Sequence, residues 1–382
     1  MSKLIKQVKF RLKTHGNADA LSLALVEETG WQCVVKTSDW VQPGEVVSDD
    51  PQALPAREGL YIGIDALLDP ARTEFAFLKD KATKKFPDGR PGHRIKTVRL
   101  RARLSQGLLI RIEPWMRAYT LESGALDLDA INAHLGVERY EPPIPPDLRG
   151  EMVRSPGEFH RYTGIENGKN VPTMFEPGDA VLVTEKIHGT NWRVGLVHEG
   201  LDSGPGYFVG SHNTAKLVEG GTTLYAVMAR TYLPEEKLRE IAAEFPFSQH
   251  FIVYGEAYGH KVQDLNYGCK ANERKVALFD VLIDHVWQPW DVVSKIAHLL
   301  GLETVPLLYA GVYDAAEIAA LRDGKSTLPG AAHVREGVVV KAVPESRVTI
   351  RDSFGELVYE GRKMCKLISD DYLERRDAKD GH

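Results

Sequence analysis

Short apolar runs separated by turn residues fill the first third of the chain and predict strands rather than long helices. Leu21 to Val26 and Trp31 to Val35 are two such runs, with Thr29 and Gly30 between them. Short strands at this close spacing are typical of a small β-barrel. We therefore expect residues 1–138 to form a barrel domain of their own.

Longer apolar runs in residues 159–382 predict buried strands that end at, or carry, a charged residue. They are Ala180 to Thr184, Phe251 to Tyr254, Lys275 to Leu282 and Val338 to Val340. Residues 292–300 and 315–322 have the spacing of amphipathic helices that pack on a sheet. The pattern predicts an α+β domain of antiparallel sheets covered by helices.

A proline-rich stretch separates these two regions and predicts an extended linker over residues 139–158. Its prolines are Pro142, Pro143, Pro145, Pro146 and Pro156. The predicted division is therefore a barrel at 1–138, a linker at 139–158 and a larger domain at 159–382.

The composition of the chain predicts its cellular compartment and argues against several classes of protein. The chain has 382 residues, of which 43% are hydrophobic and 26% charged, as in soluble globular proteins of two domains. Cys33, Cys269 and Cys365 are widely spaced, so the cysteines predict neither a disulfide framework nor a zinc site. Together with the lack of an apolar signal sequence or of a membrane-length apolar run, they predict a cytoplasmic protein.

A net charge of -5 means that any nucleic-acid surface must come from local clustering. The clearest cluster consists of Arg94, Lys96, Arg99, Arg101 and Arg103. If this stretch is one strand, the last three arginines share a face above an apolar face, and they suit contact with phosphates. The alternative is a solvated strand face with scattered ion pairs.

The strongest candidate for chemistry is the segment from Lys186 to Asn191, which follows the predicted strand at Ala180. A lysine at a strand end beside a histidine and a glycine is poor for packing but suits a nucleophile. Gly189 lacks a Cβ, so we expect it to let a phosphate-bearing ligand approach the backbone.

Lys186 to Asn191 resembles motif I of the covalent nucleotidyltransferases, and His188 resembles the RNA ligase 2 branch. Further blocks follow in the family's order: Phe251 to Gly259, Lys275 to Leu282, Arg335 to Lys341 and Gly361 to Ile368. The segment from Arg94 to Leu108 resembles the N-terminal OB domain of RNA ligases of the Deinococcus type. The resemblance implies an OB-type barrel followed by an ATP-grasp-like nucleotidyltransferase domain.

The same resemblance implies residue roles, ATP as substrate, and Mg²⁺ or Mn²⁺ as cofactor. Lys186 is the expected nucleophile, His188 is expected to act after lysine adenylation, and Glu336 and Asp280 are expected at the metal. Phe279 is expected to stack on adenine, and Glu256 to bind the ribose. The expected nucleotide-binding set is Thr184, Glu185, Asn191, Ser211, His212, Glu256, Phe279, Lys341 and Lys366.

Two residues, His212 and Ile368, depart from the family's pattern. His212 stands where relatives have an arginine, so a permanent positive charge is missing there. Ile368 replaces a second lysine two residues after Lys366, so either Lys366 acts alone or Arg362 or Lys363 substitutes. After Ile368 we expect only a charged tail without a C-terminal OB domain, which argues against DNA ligases and capping enzymes.

The predicted function is therefore an ATP-dependent RNA ligase that joins 3′-OH and 5′-phosphate ends through a lysyl-AMP. Its partner is RNA or an RNA-containing nicked duplex, with no membrane or protein partner implied. The alternatives are a DNA ligase, a GTP-using capping-type enzyme, or a non-catalytic nucleic-acid-binding relative. The remaining histidines His160, His198, His260 and His298 are expected to be structural or surface residues.

Overall fold

The computed structural model describes residues 4–27, 29–122, 124–140, 151–198, 204–351, 355 and 357–375. It has the predicted α+β class, with a barrel domain followed by a larger domain of two sheets. Within these ranges, no helix is both long enough and apolar enough to cross a membrane.

The first domain is built mainly from strands, and the predicted strands at Leu21 and Trp31 are confirmed. Its elements are β1 (Ile5–Thr14), β2 (Leu21–Val26), β3 (Gln32–Lys36), β4 (Arg57–Ile62), β5 (Ala66–Leu68), β6 (Lys84–Lys85), β7 (Pro91–Arg94), β8 (Thr97–Leu100), β9 (Arg103–Gln106), β10 (Leu108–Ile110), α1 (Leu128–Leu135) and β11 (Glu138–Arg139). The main sheet has the order β10-β4-β1-β2-β3, and a second sheet has the order β11-β5-β7-β6.

The barrel is brought close to closure by the turn from β9 into β10. On one side, the Val34 N–H of β3 donates to Ser105 Oγ of β9 at 3.0 Å. On the other side, Leu108 to Ile110 pair with β4. Gly107 makes the corner at φ +118°, and a Cβ there would collide with the ring of Tyr61. Only glycine meets both conditions without strain.

The basic stretch is not a single strand, so the predicted stripe of three arginines on one face is wrong. Thr97–Leu100 and Arg103–Gln106 form a hairpin whose turn is Arg101 and Ala102, at φ 50° and 65°. Arg99 pairs in register with Leu104, and Leu100 with Arg103. The turn therefore gathers the arginines at one hairpin tip instead of spacing them along a face.

The second domain starts before residue 159 and contains the remaining elements. These are β12 (Met152–Val153), β13 (Glu166–Asn167), β14 (Ala180–Lys186), β15 (Thr190–Val197), β16 (Gly206–Gly210), β17 (Ala215–Lys216), α2 (Leu224–Tyr232), α3 (Glu235–Ala242), β18 (His250–Gly259), β19 (Arg274–Ile283), β20 (Val286–Trp287), α4 (Trp290–Leu300), β21 (Glu303–Thr304), β22 (Leu307–Val312), α5 (Ala315–Arg322), β23 (Gly337–Ala342), β24 (Arg347–Arg351), β25 (Leu357–Arg362), β26 (Met364–Ile368) and α6 (Asp370–Glu374).

Two sheets of this domain hold the candidate chemistry between them. One has the order β12-β17-β16-β15-β18-β19-β20, with β21 beside β19, and the other the order β13-β26-β23-β14-β22. Helices α2, α3 and α4 pack on the first sheet, and α5 packs on the second. Tyr254, Leu282, Val339 and Met364 share a buried cluster that joins the two sheets. The chain segment after β14 therefore crosses from one sheet to the other at Lys186.

The predicted linker overlaps both domains. Strand β11 pairs with β5 of the barrel, and Tyr140 N–H donates to Asp65 O at 2.8 Å. Strand β12 already pairs with β17 of the second domain. Four prolines of the predicted linker, at 142, 143, 145 and 146, lie outside the described residues.

The charged end of the chain is not a simple tail, at least as far as residue 375. Ser369 Oγ caps α6 by accepting the Tyr372 N–H at 3.2 Å. Tyr372 and Leu373 are buried in a cluster that includes Leu104 of the barrel hairpin. Helix α6 therefore connects the second domain to the basic hairpin.

Candidate active site

Antiparallel pairing of β14 and β23 brings Lys186 to Glu336. Lys186 pairs in register with Gly337, so the residue before Gly337 lies beside the lysine. Lys186 Nζ donates to Glu336 Oε1 at 2.7 Å. Lys186 keeps 23% of its side chain exposed, whereas Glu336 is fully buried. A buried carboxylate of this kind requires a cationic partner, and the lysine provides it.

Gly189 is needed for close packing of the turn against β18. A Cβ at Gly189 would collide with Ala257 O and lie 2.9 Å from Glu256 Cγ. The Gly189 N–H donates to Glu256 Oε1 at 3.1 Å. The missing side chain thus lets the turn sit against β18 and places Glu256 near Lys186.

Burial keeps Glu256 protonated at neutral pH. Desolvation raises the pKa of Glu256 to about 8, Lys186 opposes that rise, and Glu336 adds to it. The Glu256 side chain can therefore donate a hydrogen bond as well as accept one. Two carboxyl groups and a lysine in one buried place form the kind of coupled set that functional sites use.

His188 is held on both sides of its ring and through its backbone. The His188 N–H donates to Tyr267 Oη at 2.5 Å. His188 Nε2 lies 2.8 Å from Asp264 Oδ1, and Nδ1 lies 3.7 Å from Glu336 Oε2. Asp264 Oδ2 in turn accepts from Arg375 Nη2 at 2.5 Å. Asp264 therefore links His188 to the residue that follows α6.

A cavity of about 110 Å³ adjoins Lys186 and collects most of the predicted nucleotide-binding residues. Its lining residues are Tyr162, Ile165, Thr184, Glu185, Lys186, Ile187, Asn191, Glu256, Phe279, Val305, Val339 and Lys341. Phe279 reaches this cavity because it is the extra residue of a β-bulge, where Tyr254 pairs with Asp280 but Gly255 pairs with Leu278. The walls are apolar and aromatic, which suits a flat heterocycle.

Two buried acceptors in this cavity lack a hydrogen-bond partner among the described residues. They are Glu185 Oε1 and Asn191 Oδ1. The other oxygen of Glu185 accepts from both the N–H and the hydroxyl of Thr327, each at 2.8 Å. A ligand that carries N–H or O–H donors would satisfy both acceptors, because buried polar atoms are normally paired.

Asp280 forms a buried ionic cluster instead of facing Glu336 across a metal. Asp280 Oδ2 accepts from Tyr162 Oη at 2.8 Å and from Lys341 Nζ at 2.8 Å, and it lies 2.9 Å from Arg362 Nη1. Burial raises the pKa of Asp280, but Lys341 and Arg362 outweigh it and hold the pKa below its ordinary value. With its charge balanced in this way, Asp280 does not favour a metal, and its role is to hold Lys341.

The structure distinguishes the candidate cations of the last motif. Lys366 is half-buried, and its pKa is lowered first by desolvation and then by the charge of Lys186. Lys363 pairs instead with Asp179 at 2.7 Å on the far side of the strand. Arg362 is bound to Asp280 and to Glu345. Lys366 is therefore the cation of this strand that acts on Lys186.

Ser211 and His212 lie outside the cavity lining and are positioned by a buried arginine. Arg193 Nε donates to Ser211 O at 3.0 Å. Burial lowers the pKa of His212, and the neighbouring Arg193 and Arg161 lower it further. His212 is therefore neutral at pH 7 and does not replace a permanent positive charge. Exposed Arg161, which the sequence did not single out, is one of the two arginines whose charge acts on His212.

The basic residues of the barrel have separate partners. Arg94 pairs with Asp65 at 2.6 Å, which removes it from the predicted phosphate surface. Arg99 donates to Glu374 O of α6, and Arg103 Nε donates to His15 O at 3.3 Å. Lys96 and Arg101 are exposed at the hairpin, with no acidic partner among the described residues.

The sequence had no means of finding Tyr162, Asp264, Tyr267 or Arg375. Asp264 and Tyr267 lie in the irregular segment between β18 and β19, where no hydrophobic period marks a functional position. Tyr162 precedes the first long strand of its domain and meets Phe279 only in three dimensions, at 4.8 Å between ring centroids.

Comparisons with known proteins agree with this geometry. Residues 179–359 match the family model described as RNA ligase, and residues 3–112 match an OB-fold domain. No curated protein matches the chain in sequence.

Solved structures of the RNA ligase of Naegleria gruberi share the fold along the whole chain. The structure with pyrophosphate has a TM-score of 0.68 and 23% identity, and the match covers 98% of this chain and 99% of that one. A variant with ATP and Mn has a TM-score of 0.68 and 23% identity over 97% and 98% of the two chains. A variant with AMP and Mn has a TM-score of 0.68 and 24% identity over the same shares.

These matches and the arrangement around Lys186 lead to one assignment. Residues 179–359 of this chain belong to the RNA ligase family, and they follow an N-terminal OB-fold domain.

Proposed function

We propose that this chain joins RNA ends with ATP through a covalent AMP on Lys186. The observation that carries the proposal is the 2.7 Å contact between Lys186 and the buried Glu336, beside a cavity with an aromatic wall. The two unpartnered acceptors at Glu185 and Asn191 support a nucleotide base there. The Naegleria structures with ATP, AMP and pyrophosphate support the same nucleotide chemistry by likeness.

The proposed reaction has three transfers. Lys186 Nζ loses a proton and attacks the α-phosphorus of ATP, so that an N–P bond forms and pyrophosphate leaves. The AMP then moves to the 5′-phosphate of one RNA end, which frees the lysine. The 3′-hydroxyl of the other end attacks that phosphate, and AMP leaves as the phosphodiester forms.

The charged residues fit these demands. Lys186 Nζ donates to Glu336 Oε1 at 2.7 Å, so this contact must open before Nζ can attack. Desolvation lowers the pKa of Lys366, and the nearby charge of Lys186 lowers it further. Lys366 therefore lies close to Lys186, where charge gathers on the phosphate during the proposed reaction. Lys341 is held by Asp280 at 2.8 Å and lines the cavity as a second phosphate contact.

A divalent cation fits beside Glu336. The carboxyl groups of Glu336 and Glu256 both lie near Lys186. Oxygen ligands of this kind are those that Mg²⁺ and Mn²⁺ prefer, and Glu336 would hold the ion. When bound, the ion would neutralise phosphate charge. We no longer assign Asp280 to this ion, because Lys341 and Arg362 already balance its charge.

The placement of the barrel supports a double-stranded or nicked RNA substrate. The hairpin carries Arg101 and Arg103 at its tip and Lys96 at its base, and it packs through Leu104 against the cluster that contains Tyr372. RNA phosphates bound to this tip would lie next to the domain that carries Lys186. The domains of the proposed enzyme are the barrel at 1–140 and the ligase domain at 151–382, and its three free cysteines suit the cytoplasm.

Lys186→Ala is expected to abolish the covalent nucleotide, because Lys341, the other lysine of the cavity lining, is held by Asp280 at 2.8 Å. Intact mass after incubation with ATP and Mn²⁺ should show the added mass of AMP on the unmodified sequence and none on the variant. Lys295→Ala, which changes an exposed lysine of α4, should gain AMP normally. A GMP adduct from GTP would favour the capping-type alternative, and no adduct from either nucleotide would favour a non-catalytic protein.

Lys366→Ala is expected to slow lysine adenylation by about 100-fold, the usual effect of removing one donor that stabilises transition-state charge. Lys363→Ala serves as its matched control, since that lysine pairs with Asp179 on the far side of the strand. The control should keep its rate within about twofold, because this half-buried ion pair does not act on Lys186. If Lys363→Ala slows single-turnover adenylation as much as Lys366→Ala does, Lys363 supplies the missing family cation.

Asp264→Asn is expected to impair sealing more than adenylation, because the aspartate orients His188, which resembles the residue used in later steps. The variant should form the AMP adduct within a few-fold of the normal rate but join a nicked RNA about 10-fold more slowly. Asp179→Asn is a matched change away from His188 and should affect neither step. A variant that loses adenylation and sealing equally would place Asp264 in the first step.

Glu256→Gln is expected to change how stability depends on pH. The folded pKa of about 8 lies above the unfolded value of 4.5, so ionisation of Glu256 opposes folding as pH rises between them. The unmodified chain should lose up to about 1.4 kcal/mol per pH unit across this window relative to the variant. Urea unfolding at several pH values measures the free energy of unfolding of both proteins. If the difference between the two free energies does not change with pH, the pKa of Glu256 is not raised.

A further inference from the structure

A second group of metal-ligating side chains lies outside the active site, where the ligase domain begins. Glu158 and His160 precede its first long strand, His250 is the first residue of β18, and His285 lies in the turn between β19 and β20. One ligand atom from each of these four residues lies within 4.8 Å of every other. The reactions proposed above use none of them.

The three imidazoles converge on a single carboxylate oxygen. Glu158 Oε2 lies 3.2 Å from His160 Nε2, 3.1 Å from His250 Nδ1 and 3.4 Å from His285 Nε2. Ligand atoms of a tetrahedral zinc ion are separated by about 3.3 Å, given metal–ligand bonds of about 2.0 Å. The three distances to the carboxylate oxygen match this spacing, and the remaining separations, all within 4.8 Å, must shorten where they exceed it when an ion binds.

We propose that Glu158, His160, His250 and His285 bind a structural zinc ion. Three imidazole nitrogens and one carboxylate oxygen are a zinc donor set, whereas Mg²⁺ and Mn²⁺ prefer oxygens such as those of Glu336. The cysteine count of the sequence predicts no zinc site, but it does not test histidines that are brought together from distant segments. His160, expected from sequence to be merely structural or exposed, becomes a ligand.

The backbone around the four residues is already held in place. Arg193 Nη1 donates to Phe159 O at 2.6 Å, and Tyr254 Oη donates to His160 O at 2.9 Å. Asp284 accepts the His250 N–H at 3.0 Å, together with the N–H groups of Ser248 and Gln249. The site therefore needs little ordering when an ion binds, as structural metal sites require.

Binding does require one proton to move. His250 Nε2 accepts the His285 N–H at 3.0 Å, so the ring proton is on Nδ1 and points to Glu158. Coordination through Nδ1 moves the proton to Nε2, and the contact with the His285 backbone must then lengthen. His285 lies in a surface turn with 53% of its side chain exposed, so the turn is free to make this small shift.

The ion would anchor the segment that leads from the barrel into the nucleotide cavity. Two residues after His160, Tyr162 lines that cavity, contacts Phe279 and donates to Asp280. A zinc ion would bind this segment to the ends of β18 and β19. Its expected effect is on stability, and the proposal does not depend on the ligase reaction.

Zinc content after chelation and reloading tests the proposal directly. The full chain is stripped with a chelator, incubated with Zn²⁺ in the presence of excess Mg²⁺, desalted, and measured for bound metal by mass spectrometry. We expect one zinc per chain and a thermal unfolding midpoint several degrees above that of the stripped protein. His285→Ala and Glu158→Gln should each retain well under half of this zinc and lose most of the thermal shift.

His298→Ala is the matched control, because His298 is an exposed histidine of α4 outside the cluster. This variant should bind as much zinc as the unmodified chain, and zinc should raise its thermal unfolding midpoint by the same amount. His285→Ala removes an exposed side chain, and circular dichroism verifies that it folds. The proposal is overturned if the unmodified chain retains no zinc after desalting, or if both cluster variants retain as much as His298→Ala.

Discussion

The pairing of β14 with β23 creates the active site, because it places Lys186 against Glu336 from a point 150 residues away in sequence. A fully buried carboxylate without a cation would destabilise the domain by several kcal/mol. Lys186 therefore stabilises the folded domain as long as it is paired with Glu336. In the proposed reaction the same lysine becomes the nucleophile when the ion pair opens, so stability and the proposed chemistry depend on one contact.

Other buried charges around this contact are also balanced in fixed pairs. Asp280 holds Lys341 and Arg362, and Glu345 takes the other side of Arg362. Such clusters contribute little net stability, but breaking one leaves an unpaired buried charge. Their effect is to fix positions: Lys341 and the bulged Phe279 face the cavity because Asp280 cannot move away from its cations.

The two domains meet through specific contacts and not through a flexible connection alone. Trp31 Nε1 of the barrel donates to Asn170 Oδ1 at 2.8 Å, and Lys169 lies over the same indole. The barrel hairpin reaches α6, and Arg375 after α6 holds Asp264 beside His188. A nucleic acid bound at the hairpin is thus joined to the later chemical steps by a short chain of contacts.

The sequence alone determined the class of each domain, the order of the strands that carry Lys186, Glu256 and Glu336, and the resemblance to RNA ligases. Hydrophobic period and short motifs are local properties, so they can be read without knowing which strands pair. The helices at 290–300 and 315–322 were predictable for the same reason. The RNA ligase and OB-fold matches confirm this level of the interpretation.

Only the tertiary structure decided which charges meet. Arg101 and Ala102 turn the chain without glycine, so the basic hairpin looked like one strand. Asp280 seemed available to a metal until Lys341 and Arg362, both distant in sequence, were found against it. The partners of His188 and the cluster at Glu158 come from separate segments as well. Electrostatic contacts depend on distance in space, and the spacing of residues along the chain does not contain that distance.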